Sequence, residues 1–260
     1  MRYGVCGEPG IAIILAEAGY DYIELHVQRD LKTEEDEESF GPQLERIRAI
    51  PIPAAAANCF VPGKLKITGP DVDPQALKRY VVTAFERAER AGVETIVFGS
   101  GGARRVPEAY NPEDAWKQLL DFGRMTAPIA AEYGITVVVE PLNRRECNIF
   151  TSVGECAEYV RQVNLPNLRL LVDAYHWAVE KDSYQDLVDA LPLIHHAHIA
   201  TYESRMAPGL EPCDFSPFFQ ALSDGGYAGR LSIEGKWTDI RHEAAQALTE
   251  LKRFAQQAGM

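Results

Sequence analysis

The chain has 260 residues, with 26 basic and 38 acidic side chains and a formal net charge of −12. This length could hold two average domains or one α/β barrel, and it is enough to bury a large core. The negative charge repels polyanions at long range, so nucleic acids and anionic membranes are poor candidate partners.

The start of the chain lacks the layout of a secretory signal peptide, because it has one basic residue and a short apolar stretch that Glu17 interrupts. No run approaches the roughly 18 apolar residues that a membrane span requires. The five cysteines are widely spaced and form no C-x-x-C pair. We therefore expect a cytoplasmic protein with reduced thiols and no membrane association.

Short β-rich runs alternate with longer amphipathic stretches along the whole chain, and no linker or low-complexity tract divides them. Clear helical patterns occupy residues 70–92, 111–134 and 241–259, the first with Asp73 as N-cap and Gly92 as its stop. The predicted strands lie near Tyr3–Cys6, Tyr22–His26, Ile52–Cys59, Thr95–Gly99, Ile135–Glu140, Arg169–Asp173, His195–Ala200 and Leu231–Glu234.

Eight strands, each followed by a helix, fit either an open doubly wound sheet or a closed barrel. The stretch GVCGEPG after the first strand lacks the G-x-G-x-x-G spacing of a dinucleotide-binding fold. We therefore predict an α/β fold, a (β/α)8 TIM barrel that forms a single domain over residues 1–260. In such barrels the chemistry lies at the carboxyl ends of the strands.

Side chains alternate across a strand, which decides the residues that point into the barrel. On the fifth strand Thr136 and Val138 share a face with Glu140, whereas Val137 and Val139 face the helices. The same alternation makes strands five to eight finish on side chains that can bind a metal, and these are Glu140, Asp173, His198 and Glu234.

A carboxylate at a strand end is usually the start of a solvated loop, so the prediction rests on the whole set of four. The three carboxylates would repel one another, and all four groups would lose solvation, in a dry barrel mouth without a cation. Three oxygen donors and one nitrogen, with no thiolate, favour Mn²⁺, Mg²⁺ or Co²⁺ over a closed structural zinc site. We expect Mn²⁺.

Five motifs lie at or near the ends of these strands. They read EPLNRRE (140–146), DAYH (173–176), HAH (196–198), RMAPG (205–209) and IEG (233–235). In type and order they resemble the motifs of the sugar isomerase/epimerase superfamily of xylose-isomerase-like TIM barrels, and most of all the ketose 3-epimerases of the tagatose/psicose type.

The resemblance implies a sugar epimerase or isomerase that acts on a ketose or keto-sugar through a cis-enediolate. It implies that Glu140 and Glu234 are the catalytic acid and base on opposite faces of that intermediate. The metal ligands it implies are Glu140, Asp173, His198 and Glu234, and the substrate-binding residues are Glu146, His176 and Arg205. Barrels of this group commonly form homo-oligomers, although no patch in the sequence identifies an interface.

The chain departs from the family in two loops. The stretch from His198 to Arg205 is one residue longer than in the epimerases, so Arg205 could instead be a surface residue paired with Glu203. The loop GSGGARRVPEAYNP (99–112) could hold a phosphate or acidic sugar through its backbone N–H groups and through Arg104 and Arg105. A flexible turn with solvated arginines is the alternative.

Two tryptophans directly follow site residues. Trp177 and Trp237 could form an apolar wall for a sugar ring, or they could pack in the core.

Two other functions remain open, a lyase or dehydratase and a sugar-binding barrel, whereas the net charge and the missing histidines argue against an apurinic endonuclease. A lyase or dehydratase acting on an inosose or a 3-keto-glycoside would remove the same proton but expel a leaving group. Apurinic endonucleases of the superfamily need histidines after strands three and four, where this chain has Asn58 and Gly99. A non-catalytic sugar-binding barrel would not need Glu140 and Glu234 as a pair.

Overall fold

The eight strands of the chain pair in sequence order, and β1 pairs with β8 to close the sheet into a parallel barrel. The computed structural model describes residues 1–260. The strands are β1 Arg2–Cys6, β2 Tyr22–His26, β3 Ala54–Asn58, β4 Thr95–Phe98, β5 Thr136–Val139, β6 Leu168–Asp173, β7 Ile194–Ile199 and β8 Arg230–Ile233. Each strand begins and ends within two residues of the predicted positions, and the predicted TIM barrel is confirmed.

Helices connect the successive strands, as parallel pairing requires. They are α1 Ala12–Ala18, α2 Val27–Asp30, α3 Glu37–Arg48, α4 Pro74–Ala91, α5 Gly101–Arg104, α6 Pro112–Glu132, α7 Val153–Val163, α8 Ala174–Glu180, α9 Tyr184–Ala190, α10 Ser216–Asp224 and α11 Ile240–Gln257. Single 3₁₀ turns lie at Pro9–Ile11 and Leu191–Leu193. None of the helices combines the length and the apolar character needed to cross a bilayer.

The ends of α4 follow from its capping residues. The Asp73 side chain accepts hydrogen bonds from the backbone N–H groups of Gln75 and Ala76, both at 3.0 Å. Gly92 ends the helix with φ +79°, a left-handed conformation that costs glycine little. The predicted N-cap and stop of this helix are therefore confirmed.

The hydrophobic clusters distinguish side chains inside the barrel from those between the strands and the helices. Val137 and Val139 belong to the large cluster of 71 buried residues that joins the strands to the helices. Val97, Val138 and Leu171 form a small cluster of their own inside the barrel. The alternation predicted along β5 is therefore confirmed, and it directs Glu140 toward the mouth of the barrel.

Candidate active site

Four side chains from consecutive strands meet at the carboxyl end of the barrel. Their ligand atoms all lie within 4.8 Å of one another, and they belong to Glu140, Asp173, His198 and Glu234. His198 Nδ1 lies 3.2 Å from Glu140 Oε1 and 3.8 Å from Glu234 Oε2. The structure thus brings together all four residues that the sequence analysis selected as metal ligands.

Local structure fixes the orientation of the Asp173 carboxylate. Asp173 is the last residue of β6 and the N-cap of α8, so its Oδ1 accepts a hydrogen bond from Tyr175 N at 2.8 Å. Its Oδ2 is buried and has no hydrogen-bond partner. One oxygen therefore holds the side chain in place while the other remains free for a ligand.

The electrostatics of this cluster fit a bound cation. Burial and the neighbouring Glu234 raise the pKa of Asp173 to about 6, and they also raise the pKa of Glu140. Burial alone would lower the pKa of His198, but the surrounding carboxylates raise it well above its usual value. The cluster thus stabilises positive charge, and its unpartnered Asp173 oxygen and mixed oxygen and nitrogen donors suit a divalent ion.

His176 presents a free N–H group beside this cluster. Its Nδ1 accepts a hydrogen bond from the backbone N–H of Asn143 at 3.0 Å, so the proton of the neutral ring lies on Nε2. Burial lowers the pKa of His176 and favours that neutral form. Nε2 is buried without a partner, 3.6 Å from Asp173 Oδ2 and 3.9 Å from Glu146 Oε2.

Arg205 joins two of the predicted site residues. Its guanidinium forms an ion pair with Glu234, lies 3.1 Å from Glu146 Oε1, and stacks 4.7 Å from the centre of the Tyr175 ring. Its backbone has φ +56°, and its carbonyl accepts a hydrogen bond from Lys236 N at 2.7 Å. The structure therefore turns this side chain into the barrel mouth and not toward the surface.

A polar cavity of about 420 Å³ borders these residues. Both Glu140 and Glu234 reach it, and Arg205 is the only basic side chain in its wall. The other lining residues are mostly polar or small, and they come from the loops after β2, β3, β4 and β5: Gln28, Asn58, Cys59, Val61, Gly63, Gly99, Ser100, Gly101, Gly102, Leu142 and Glu146.

The prediction for Arg104 is wrong. This side chain is fully buried and donates hydrogen bonds to the carbonyl oxygens of Phe98 at 2.9 Å and Glu140 at 2.7 Å. Its guanidinium also packs against the rings of Phe98 and Phe150. Because residues 101–104 form the short helix α5, Arg104 points under the loop and cannot contact a substrate phosphate.

Arg105 is exposed and donates a hydrogen bond to the backbone carbonyl of Glu146 at 2.8 Å. Neither observation tests its role in substrate binding, which stays a prediction. The residues that line the cavity include neither Trp177 nor Trp237. Both tryptophans are half-buried and pack against the large hydrophobic cluster. The structure therefore favours core packing for them over a sugar-binding wall.

Two polar residues that the sequence did not single out as site residues contact the candidate metal cluster. Glu24 Oε1 accepts a hydrogen bond from His198 Nε2 at 2.9 Å, and Asn58 Nδ2 donates one to Glu234 Oε1 at 2.9 Å. The signal for Glu24 was a carboxylate in the middle of the apolar strand YIELH. Burial opposes its charge, but His198 and His196 lower the pKa of Glu24 enough to keep it ionised.

Residues 13–257 match the xylose isomerase-like TIM barrel family. The chain belongs to this family. The family resemblance that the motifs indicated is therefore confirmed.

The relatives of this chain are named epimerases and isomerases. The chain is 31% identical over 121 residues, or 46% of each chain, to the 3-dehydro-D-guloside 4-epimerase of Escherichia coli (strain K12). It is 28% identical over 235 residues to the L-ribulose 3-epimerase of Methylomonas sp. (strain DH-1), which covers 86% of this chain and 77% of the relative.

The match spans less than half the length of several curated relatives, among them the E. coli epimerase at 46%. Among solved structures, the fold is similar to that of the D-allulose 3-epimerase from Methylomonas sp., with a TM-score of 0.83, 21% identity and 98% of each chain covered.

Proposed function

We propose that this protein is a divalent-metal-dependent sugar epimerase or isomerase that acts on a neutral keto-sugar. The observation that carries the proposal is the convergence of Glu140, Asp173, His198 and Glu234 beside a polar cavity that both glutamates reach. The names of the relatives support the reaction class.

The same four residues would hold the ion, and Mn²⁺ is the one we expect. When bound, the cation supplies positive charge that polarises a substrate carbonyl and acidifies the neighbouring C–H group. The free Oδ2 of Asp173 and the closely spaced carboxylates support this assignment.

Glu140 and Glu234 then act as the proton carriers. One glutamate removes the proton from the carbon next to the carbonyl. The C–H electron pair forms the C=C bond of an enediolate while the C=O π pair moves onto the carbonyl oxygen. The other glutamate gives a proton to the opposite face of that carbon as the C=O bond re-forms, which inverts the carbon. Burial and Glu234 raise the pKa of Glu140, which suits a group that must accept a proton and release it.

The neighbouring polar residues prepare the site for this transfer. Arg205 holds Glu234 and Glu146 by ion pairs, so both carboxylates keep fixed positions. His176 Nε2–H has no partner in the protein and can donate a hydrogen bond to a substrate oxygen.

The charge of the cavity wall favours a neutral substrate over a phosphorylated one. Arg205 is the only basic residue there, and Glu234 and Glu146 already neutralise it. The second arginine considered for phosphate binding, Arg104, is buried under the loop. A phosphate group would therefore meet carboxylates without a free cationic side chain.

The test is to incubate the Mn²⁺-loaded protein with neutral ketoses and 3-keto-glycosides in D₂O. Recovered sugar with inverted configuration and deuterium at the inverted carbon would support the proposal. Loss of water or of an aglycone without inversion would make the protein a lyase instead. If none of the sugars is converted or incorporates deuterium, the proposed enzymatic function is refuted, and a non-catalytic sugar-binding barrel is the remaining function.

A further inference from the structure

Glu24 is a fully buried carboxylate inside the barrel, and both of its oxygens contact β7 or β8. Its Oε1 accepts a hydrogen bond from His198 Nε2 at 2.9 Å. Its Oε2 lies 2.8 Å from His196 Nε2 and accepts a hydrogen bond from Ser232 Oγ at 2.6 Å. Its only ion pairs are with these two histidines.

A charged group in this position is costly for the fold. Removing a carboxylate from water carries a large free-energy penalty even after the protein relaxes. On the other side of the barrel interior, β4, β5 and β6 fill the space with Val97, Val138 and Leu171. An apolar side chain in place of Glu24 would thus be the cheaper way to fill the barrel, so the carboxylate requires a functional explanation.

The two ring nitrogens of His198 face opposite directions along the barrel. Nε2 points to Glu24, whereas Nδ1 lies 3.2 Å from Glu140 Oε1 and 3.8 Å from Glu234 Oε2. A histidine can bind a metal only through a ring nitrogen that carries no proton. A carboxylate at Nε2 keeps the proton on that nitrogen and leaves the lone pair of Nδ1 for the cation.

We propose that Glu24 is the positioning residue of the metal site, fixing the ring orientation and the tautomer of His198. This inference rests on the proposed function, because it assumes that His198 binds a cation. Glu24 does not line the cavity, and its carboxylate groups with Cys6 and His198 and not with Glu140, Asp173 and Glu234. His198 is the one residue that the two groups share, so Glu24 acts on the proposed metal site through this histidine.

A second hydrogen-bond layer holds Glu24 in turn. Ser232 Oγ lies 2.7 Å from the hydroxyl of Tyr22, which is buried inside the barrel on the same strand as Glu24. The Glu24 carboxylate is therefore held by His196 and Ser232, and Ser232 is held by Tyr22. The carboxylate in turn holds the ring of His198 through Nε2. Replacing Glu24 should disturb the metal site even though no ligand atom is removed.

The experiment measures Mn²⁺ affinity of the full chain by calorimetry after the protein has been stripped with a chelator. The test variant is Glu24→Gln, which keeps the shape but removes the charge. The matched control is Asp30→Asn, because Asp30 is also a buried carboxylate near β2 but bonds to Arg29 and the backbone of His26. We expect Mn²⁺ to bind about 10- to 100-fold more weakly to Glu24→Gln and within about threefold of wild type to Asp30→Asn.

Equal Mn²⁺ affinity in wild type and Glu24→Gln would overturn the inference while the proposed metal site stands. A wild-type protein that binds no Mn²⁺ would instead overturn the proposed function and this inference with it. If Glu24→Gln does not fold, Glu24→Asp decides, because it keeps the charge but withdraws the carboxylate from His198. Weaker Mn²⁺ binding by that variant supports positioning, and wild-type affinity overturns it.

Discussion

Gly99 and Glu140 lie so close that a Cβ atom added to Gly99 would be 2.3 Å from Glu140 Oε2. Gly99 follows β4 directly, and Glu140 follows the adjacent strand β5. The missing side chain at position 99 therefore makes the space in which one of the two proposed proton carriers sits.

We expect Gly99→Ala to displace the Glu140 carboxylate and to lower kcat/KM by at least about 10-fold, because small displacements of a catalytic group are costly. The measurement is turnover of the best substrate, with circular dichroism to show that the protein folds. The control is Gly41→Ala in α3, where an added Cβ meets nothing within 4 Å. Equal activity of Gly99→Ala and wild type would show that Glu140 does not need its present position.

The second prediction concerns the two proposed proton carriers, Glu140 and Glu234. Glu140→Gln and Glu234→Gln should each lower turnover by about 100-fold or more, because loss of a positioned acid or base typically costs this much. Calorimetry with Mn²⁺ measures how much of each loss comes from weaker metal binding. Glu17→Gln, at an exposed site on α1, is the control. Full turnover and tight metal binding in both test variants would refute the two-base mechanism.

Replacing Arg104, the last residue of α5, should destabilise the protein more than replacing Arg105, the C-cap of that helix. Arg104→Met leaves the buried carbonyl oxygen of Glu140 without a donor and removes one of the two donors to the carbonyl oxygen of Phe98, which still accepts from Glu140 N. It should lower the free energy of unfolding by about 2 to 3 kcal/mol. Arg105→Met removes an exposed side chain and should stay within about 1 kcal/mol of wild type. Urea unfolding of both variants measures this difference, and similar losses would mean that burial of Arg104 does not matter.

His195 should make the protein less stable in mild acid. Burial and the neighbouring His196 lower the pKa of His195 to about 4 in the folded state, whereas an unfolded histidine has a pKa of about 6.5. Below pH 6.5 the unfolded chain therefore binds a proton that the folded chain does not, and stability falls as the pH drops from 6.5 toward 4.

The check compares the free energy of unfolding of wild type and His195→Gln at several pH values between 7 and 4. The difference between the two proteins should shift in favour of the variant as the pH falls through this window. A difference that does not change with pH would contradict the prediction. NMR titration of the His195 ring provides an independent value of its pKa.

The sequence predicted the barrel and the convergence of four side chains that could hold a metal, because both follow from regular patterns. Glu140, Asp173, His198 and Glu234 share one face of their strands, and closure of the barrel brings strand ends together without further information. Four statements stay predictions: the metal that these residues bind, their roles in catalysis, the single domain over residues 1–260 and the cytoplasmic location.

Arg104 and Glu24 show where sequence reasoning failed. Arg104 lies in a single helical turn, too short for any hydrophobic period to reveal which way the side chain points. Glu24 lies within a strand that was predicted correctly, but its partners His196 and Ser232 are more than 170 residues away in the chain. Only the closed barrel shows that the three side chains meet.

The interior of the barrel differs from one side to the other. Val97, Val138 and Leu171 fill the side formed by β4 to β6, whereas Glu24 and its hydrogen-bond partners fill the side formed by β7, β8 and β2. Loss of a methyl group on the apolar side should cost about 1 kcal/mol, but an unpaired buried charge on the polar side should cost about 3 to 5 kcal/mol. We therefore expect unequal tolerance to random mutation around the barrel, with neutral drift concentrated on the strands that carry the valines.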